Sequence, residues 1–151
     1  MRNNIFFTTT FCLLLNVASL AQNKKTIPSS DSVNLKRQQN IVADNVLLKA
    51  FETGDVSKLD LIIDPEFLNH AGEKKGIDSL KMMIQGFHAR MNNLKLELKR
   101  QLADDEYVFD WVRFINSEPD VIIEGMEITR YANGKAIEHW FFPGGQSRRN
   151  Q

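Results

Sequence analysis

The residues best suited to chemistry lie in the stretch 125–142, GMEITRYANGKAIEHWFF, which places His139 among large apolar side chains. Asn133-Gly134 readily adopts the positive φ angles of a tight type I′ turn, so the two flanking runs are predicted to form a hairpin. In the simplest register Ile128 pairs with His139, and side chains alternate between the two faces of each strand. One predicted face comprises Met126, Ile128, Ile137, His139 and Phe141, and the other comprises Glu127, Thr129, Tyr131, Glu138 and Trp140. The first face is apolar with a titratable imidazole in it, which is the composition expected of a ligand pocket wall.

Two polar groups of this hairpin are candidates for moving protons. His139 would be either a general base or a hydrogen-bonded histidine of the pocket wall. Glu124 shares the alternation of Met126 if the strand is unbulged, and it would then point into the cavity. Desolvation there would raise the pKa of the carboxyl and suit it to proton transfer. A β-bulge would instead turn Glu124 to solvent.

The neighbouring strand, predicted over 106–115, carries a third titratable group. Asp110 shares one face of this strand with Val108, Val112 and Phe114. Trp111 shares the opposite face with Tyr107, Phe109 and Arg113. The pattern leaves open which face is inward, so the Trp111 face would line either a pocket or a dimer interface.

The elements that must position these residues are three helices followed by a run of strands. Helical spacing of apolar residues predicts helices over 36–53, 56–62 and 78–91. Gly54 is a typical helix stop, Asp64-Pro65 breaks the second helix, and Asp78 can cap the third. Strands are predicted over 94–102, 106–115, 121–131 and 135–142. This order predicts an α+β domain with a curved antiparallel sheet packed against three N-terminal helices.

The alternation in the first of these strands gives the sheet one dry and one wet face. Four leucines alternate with polar residues over 94–102. If the sheet wraps the helices, one set of side chains is buried and the other is exposed. The expected buried set is Leu94, Leu96, Leu98 and Met126, and the expected exposed set is Lys95, Glu97 and Lys99.

The N-terminus has the layout of a secretory signal. Arg2 precedes an apolar run, and Ser19-Leu20-Ala21 is a typical small-residue cleavage site. An uncleaved membrane anchor is the alternative, although the run is shorter than the ~20 residues that a spanning helix prefers. We therefore expect a signal peptide over 1–21, a flexible linker over 22–35, a domain over 36–145 and a disordered tail over 146–151. The mature protein would be secreted or periplasmic.

The composition excludes several classes of function. Cleavage would remove Cys12, the only cysteine, and with it any disulfide or thiolate chemistry. The chain has 19 basic and 19 acidic residues, so no basic excess is present to hold a nucleic acid or an anionic membrane. Three histidines without paired carboxylate spacing do not predict a metal site. No cofactor is expected.

Three sequence patches resemble the SnoaL-like polyketide cyclase family of the nuclear transport factor two-like superfamily, which also contains the ketosteroid isomerases. They are FETGDVSKLDLIIDPEFLNH, Gly76-Ile77-Asp78, and GMEITRYANGKAIEHW. The resemblance covers most of residues 38–142. It implies a cone-shaped domain with an apolar cavity between sheet and helices, commonly dimeric through the outer face of the sheet. It also implies that His70 lies at the mouth of the pocket.

The chain departs from this family at two points. Many members have an aspartate directly after Glu-His-Trp, where this chain has Phe141, and the family's long Gly-Thr-His hairpin is replaced by the short segment 116–120. Both changes favour a binding role over cyclase chemistry, whereas a second buried carboxylate would favour an enzyme. A domain that binds a ligand or dimerises without turnover is therefore the alternative to a cofactor-independent isomerase, cyclase or hydrolase.

We predict that His70 and His139 line one enclosed apolar cavity, with Glu124 as a third polar group. These three residues are the catalytic candidates. The candidates for contact with a small hydrophobic ligand are Asn69, Phe87, Trp111, Met126, Ile128 and Phe141.

Overall fold

The computed structural model describes residues 30–91, 93–117 and 121–147. The predicted signal peptide and residues 22–29 of the predicted linker lie outside the described residues, as do residues 148–151. Among the helices in the described ranges, none is long and apolar enough to cross a membrane.

Three helices form at the predicted places, with changes at their ends. They are α1 (Ser30–Thr53), α2 (Leu59–Ile62) and α3 (Ile77–Ala89). The first begins at Ser30, inside the segment predicted as a linker, and Gly54 ends it with a φ of +73°. Gly76 rather than Asp78 occupies the N-cap of α3, and Asp78 lies in the first turn, where the helix dipole favours a carboxylate.

Six strands form one curved, unclosed sheet against these helices, which confirms the predicted α+β architecture. They are β1 (Ile63–Asn69), β2 (Lys74–Lys75), β3 (Lys95–Ala103), β4 (Tyr107–Asn116), β5 (Val121–Ala132) and β6 (Lys135–Ser147), in the spatial order β2-β1-β6-β5-β4-β3. All neighbouring strands are antiparallel except β1 and β6, which run parallel. The expected antiparallel pairing therefore holds for every pair but this one. Strand β6 also extends into the segment predicted as a tail.

The core lies between the inner face of the sheet and the helices. The helices α1 and α3 contribute Leu47, Phe51, Leu80 and Ile84, and the strands contribute Phe67, Val108, Val112 and Phe114. Fully burying one such side chain stabilises a fold by about 1.5–3 kcal/mol. The inner face of β4 is therefore the one that carries Asp110, and the face that carries Trp111 is the outer one. The sequence pattern had left open which of these two faces is inward.

The hairpin between β5 and β6 has the predicted turn but not the predicted register. Ala132 pairs with Lys135 around Asn133-Gly134, both of which have positive φ angles. Tyr131 then pairs with Ala136, but Arg130 pairs with Glu138, so Ile137 is an extra residue in a β-bulge. Beyond the bulge each partner is shifted by one residue, and a one-residue shift exchanges the two faces.

This exchange makes the predicted pocket face wrong for β5. Ile128 pairs with Trp140 and Thr129 with His139, so Met126 and Ile128 point away from the core. Met126 is one of the exposed large apolar side chains, contrary to the expected burial. The residues of β5 that face inward are Glu127, Thr129 and Tyr131.

The burial expected along β3 holds only in part. Leu94 and Leu96 pack against the core, and Lys95 and Lys99 are exposed as predicted, whereas Glu97 is half-buried among basic side chains. The expected burial of Leu98 is wrong, since 40% of this residue is exposed on the edge strand. The register shift between Leu98 and Arg100 also exchanges the two faces of the strand, so that Leu102 beyond it is exposed.

Candidate active site

A cavity of about 170 Å³ lies between the inner face of the sheet and the helices α1 and α3. Its apolar wall is formed mainly by Phe51, Phe87, Phe114 and Phe141, and Met83 and Ile123 add to it. The rings of Phe87 and Phe114 meet edge to face at 5.5 Å, and those of Phe114 and Phe141 do so at 6.3 Å. A mainly apolar cavity with a few polar groups has the general form of a small-molecule site.

The absence of a side chain at Gly125 positions the ring of Phe141. A Cβ atom at Gly125 would lie 2.6 Å from Phe141 Cε2 and 2.7 Å from the Phe142 carbonyl oxygen. Both distances are far below van der Waals contact, so any larger residue would displace the ring or the strand. Gly125 therefore lets Phe141 lie across β5 and close one side of the cavity.

Asn69 holds the imidazole of His139 in one orientation. The Ala71 backbone N–H donates to Asn69 Oδ1 at 3.0 Å, which identifies that atom as the amide oxygen. His139 Nδ1 lies 3.3 Å from the same oxygen, and an amide oxygen only accepts, so Nδ1 carries a hydrogen. The other ring nitrogen, Nε2, has no hydrogen-bond partner among the described residues and is free for chemistry.

Glu127 provides the carboxylate of the cavity. Its Oε2 lies 3.8 Å from His139 Nε2, and the two residues are only 4% and 2% exposed. A carboxyl group and an imidazole are the side-chain groups that most often act as general acid and base, so this buried place holds both types of group that proton transfer uses.

Sequence reasoning missed Glu127 because the bulge at Ile137 had no sequence signal that alternation could detect. Alternation from the turn placed Glu127 on the opposite face from His139. In the structure Glu127 pairs with Phe141. Many of the cyclases that this sequence resembles have an aspartate at the position of Phe141. The carboxylate thus comes from the facing strand.

His70 lies on the opposite side of the sheet from His139, so the prediction of a cavity shared by the two imidazoles is wrong. Asn69, the last residue of β1, pairs with His139 and faces inward. His70 continues the extended chain, since its backbone N–H donates to the His139 carbonyl at 2.8 Å, and the alternation turns its side chain outward. His70 Nε2 lies 3.0 Å from Glu138 Oε2, and its ring stacks on Trp140 at 4.5 Å. His70 is therefore part of the outer face.

Glu124 also lies on the outer face. It accepts a hydrogen bond of 2.7 Å from Trp111 Nε1 and pairs with Arg113 Nε at 3.2 Å. Five of the predicted site residues thus lie outside the cavity: His70, Glu124, Trp111, Met126 and Ile128. Four others line it together: Asn69, Phe87, His139 and Phe141. The roles of these residues stay predictions.

A second buried acidic group lies beside the cavity. Tyr131 Oη donates to Asp44 Oδ1 at 2.9 Å, and Asp110 lies next to Glu127 in the strand register. Burial, and then the hydrogen bond and charge of Asp44, raises the pKa of Asp110 to about 10. Burial and the charge of Asp44 also raise the pKa of Tyr131 well above its ordinary value. Asp110 therefore keeps its proton at neutral pH, and it is not one of the residues that line the cavity.

Comparison with known proteins identifies the fold. The sequence model of the SnoaL-like domain matches residues 46–139. TsrD from Streptomyces laurentii has a similar structure, with 18% identity, a TM-score of 0.63, and coverage of 72% of this chain and 90% of TsrD. A SnoaL-like polyketide cyclase from Agrobacterium tumefaciens strain C58 has 12% identity and a TM-score of 0.61, with 69% and 90% coverage.

An NTF2-like protein of unknown function from Mesorhizobium loti has a TM-score of 0.63 at 13% identity, and the match covers 79% of this chain and 98% of that one. No curated protein sequence matches the chain significantly. Structural likeness at such low identity reports on the fold alone. The sequence match, however, spans more than half of the chain, and the protein belongs to the SnoaL-like family with a nuclear transport factor two-like fold.

Proposed function

We propose that this protein binds a small apolar carbonyl compound in its inner cavity and transfers a proton on it through Glu127 and His139, without a cofactor. The observation that carries the proposal is the buried Glu127–His139 pair at the wall of an aromatic cavity. The family includes proteins named as polyketide cyclases, which is consistent with acid–base chemistry of this class.

The proposed reaction begins with a carbon–hydrogen bond next to the carbonyl group. Glu127 takes that proton, the electron pair of the broken bond forms a carbon–carbon double bond, and negative charge develops on the carbonyl oxygen. The proton then passes from Glu127 to His139 Nε2, and from there to the carbonyl oxygen or to a second carbon of the substrate, so both side chains return to their starting states. The 3.8 Å between Glu127 Oε2 and His139 Nε2 is longer than a hydrogen bond, so neither atom is occupied by a hydrogen bond to the other.

Asn69 is the proposed donor to the developing oxyanion. Its Oδ1 is held by Ala71 and His139, which directs its NH₂ group away from them. The described partner of that NH₂ group is the thioether of Met83 at 3.1 Å, and a thioether is a weak acceptor. An amide NH₂ has two hydrogens, so one is available to a substrate oxygen. A base and an oxyanion donor are the two parts that enolisation requires.

The proposal is tested by deuterium incorporation at the α-carbons of phenylacetone in D₂O, followed by proton NMR. A purified domain of residues 30–147 should raise the exchange rate above that of a buffer containing free glutamate and imidazole. Binding without accelerated exchange would instead support the alternative of a non-catalytic ligand-binding domain and would overturn the enzymatic part of the proposal.

Export is proposed from the sequence layout of residues 1–21. If the signal is cleaved, expression of the full chain in a bacterial host should yield a mature protein in the periplasm or medium that begins at Gln22. N-terminal sequencing measures this directly. Recovery of the protein with Met1 intact in the cytoplasm would contradict export, and recovery in the membrane fraction would support an uncleaved anchor.

We also propose a homodimer formed through the outer face of the sheet. This face has an apolar groove of about 280 Å³ lined by Tyr107, Phe109, Ile128, Trp140 and Phe142. Phe142 is 53% exposed, and Trp111 and Met126 add exposed apolar surface nearby. Contiguous apolar surface of this kind is typical of protein interfaces.

Phe142→Lys should convert the dimer to a monomer at micromolar concentration, because it would place a charge in the apolar centre of the interface. Light scattering on residues 30–147 measures the mass. Leu61→Lys is the matched control, since Leu61 is 74% exposed on α2, and it should remain dimeric. A parent domain that is monomeric at micromolar concentration would refute this mode of assembly.

A further inference from the structure

We infer that the cavity accepts a carboxylic acid whose apolar body is about the size of one aromatic ring, with its carboxylate bound by Arg90. This inference names the ligand class of the cavity described above and rests on the proposed function for the location of the site. It does not require that the ligand undergo turnover.

The wall of the cavity has chemically different parts. Arg90 lines it and is exposed, so its side chain lies where the cavity meets solvent. Asn69, Glu127 and His139 line it and are buried. A ligand in this cavity would therefore meet a cation at the exposed part of the wall and the proton-transfer pair at the buried part.

Arg90 is held at the exposed part of the wall. It caps the C-terminus of α3, and its backbone N–H donates to the Phe87 carbonyl at 3.1 Å. Its guanidinium lies back over Gly86, since a Cβ atom built there would be 3.6 Å from Arg90 Nη1. No side-chain ion pair joins this guanidinium to a carboxylate among the described residues. Arg90 is thus an unpaired cation beside an apolar cavity.

The guanidinium selects the ligand group. Arginine binds a carboxylate through two parallel hydrogen bonds, and a charged acceptor binds more strongly than a neutral one. Among the described residues, Glu127 is the one carboxylate that lines the cavity, and it is buried beside His139 rather than exposed beside Arg90. An anionic ligand would therefore supply the partner that Arg90 lacks.

The volume and the wall select the ligand body. An engineered apolar cavity of about 150 Å³ in another protein holds benzene, and the present cavity has about 170 Å³. The four phenylalanine rings that surround it present edges and faces at which an aromatic ring packs favourably. One ring fits this space, whereas a body of four fused rings does not.

The test measures binding, by NMR titration of residues 30–147, of three probes: phenylacetate, its neutral amide phenylacetamide, and the four-ring acid 1-pyreneacetate. Shifts of the His139 ring and the Phe141 amide report on the cavity itself. Phenylacetate should bind at least about fivefold more tightly than phenylacetamide, the scale of a partly exposed ion pair. Pyreneacetate should not shift these signals.

Arg90→Gln should reduce the preference for phenylacetate over phenylacetamide to less than about twofold while phenylacetamide binding stays unchanged. Arg100→Gln removes an exposed arginine of β3 outside the cavity and should keep the full preference. Equal binding of acid and amide by the parent, or a preference that survives Arg90→Gln, would overturn the inference, as would binding of pyreneacetate in the cavity or no binding of any probe. A parent that selects phenylacetate yet fails to accelerate deuterium exchange would retain this inference and lose the proposed chemistry.

Discussion

Replacing Glu127 by glutamine should lower the rate of deuterium incorporation into phenylacetone by about 10²–10⁴-fold, the usual contribution of a positioned general base. Glutamine has nearly the same shape as glutamate but cannot accept the proton from carbon. The free energy of unfolding should change by no more than about 1–2 kcal/mol, because no cavity is created. Exchange rates from proton NMR and urea unfolding curves of the same preparations provide the two measurements.

Three further variants make this result specific. His139→Gln should also lower the exchange rate, since it removes the proton carrier beside Glu127. Glu66→Gln removes an exposed glutamate of β1 and should leave the rate unchanged. His70→Gln tests the geometry: a rate as low as that of Glu127→Gln would mean that the outer histidine takes part, and the assignment of the inner pair would then be wrong.

Asp110→Asn should remove a marked dependence of stability on pH. In the folded protein Asp110 keeps its proton up to about pH 10, whereas an aspartic acid in an unfolded chain loses it near ~3.9. Between these values the folded state binds more protons than the unfolded state, so the free energy of unfolding falls as pH rises. The slope for one such group is at most ~1.4 kcal/mol per pH unit.

Asparagine is neutral in both states and retains a donor toward Asp44, so the slope from this site should vanish. The variant should be more stable than the parent at about pH 8, and the gain should shrink by about 1 kcal/mol for each pH unit toward about pH 5. Urea unfolding at several pH values between these limits measures it. Asp105→Asn, which removes an exposed carboxyl of the neighbouring turn, should keep the parent slope. Parallel pH profiles for the parent and Asp110→Asn would show that Asp110 does not hold its proton in the folded state.

The sequence by itself determined the features that depend on neighbours along the chain. Gly54 ends a helix because glycine adopts a positive φ angle without steric cost, and Asn133-Gly134 forms the hairpin turn for the same backbone reason. The periodicity of apolar residues placed all three helices and the last four strands. The inward positions of His139 and Phe141 on their shared face were also predictable, because no bulge separates them.

Only the tertiary structure decided which other groups meet these two. The bulge at Ile137 exchanges the faces of β5 relative to β6, which brings Glu127 to His139 and sends Ile128 and Met126 to the outer face. The side-chain period of a strand is two residues, so a single inserted residue reverses every later assignment.

The parallel pairing of β1 with β6 is the second decision of the tertiary structure. It joins residues separated by about seventy positions and brings Asn69 to His139, while the alternation of β1 turns His70 to the Trp140 side. Asn69 and His70 are adjacent in the sequence and cannot both face the cavity in an extended strand. The sequence therefore specified two candidate histidines, His70 and His139. The sheet placed them on opposite faces, because Asn69 shares the face of its partner His139 and the side chain that follows Asn69 points the other way.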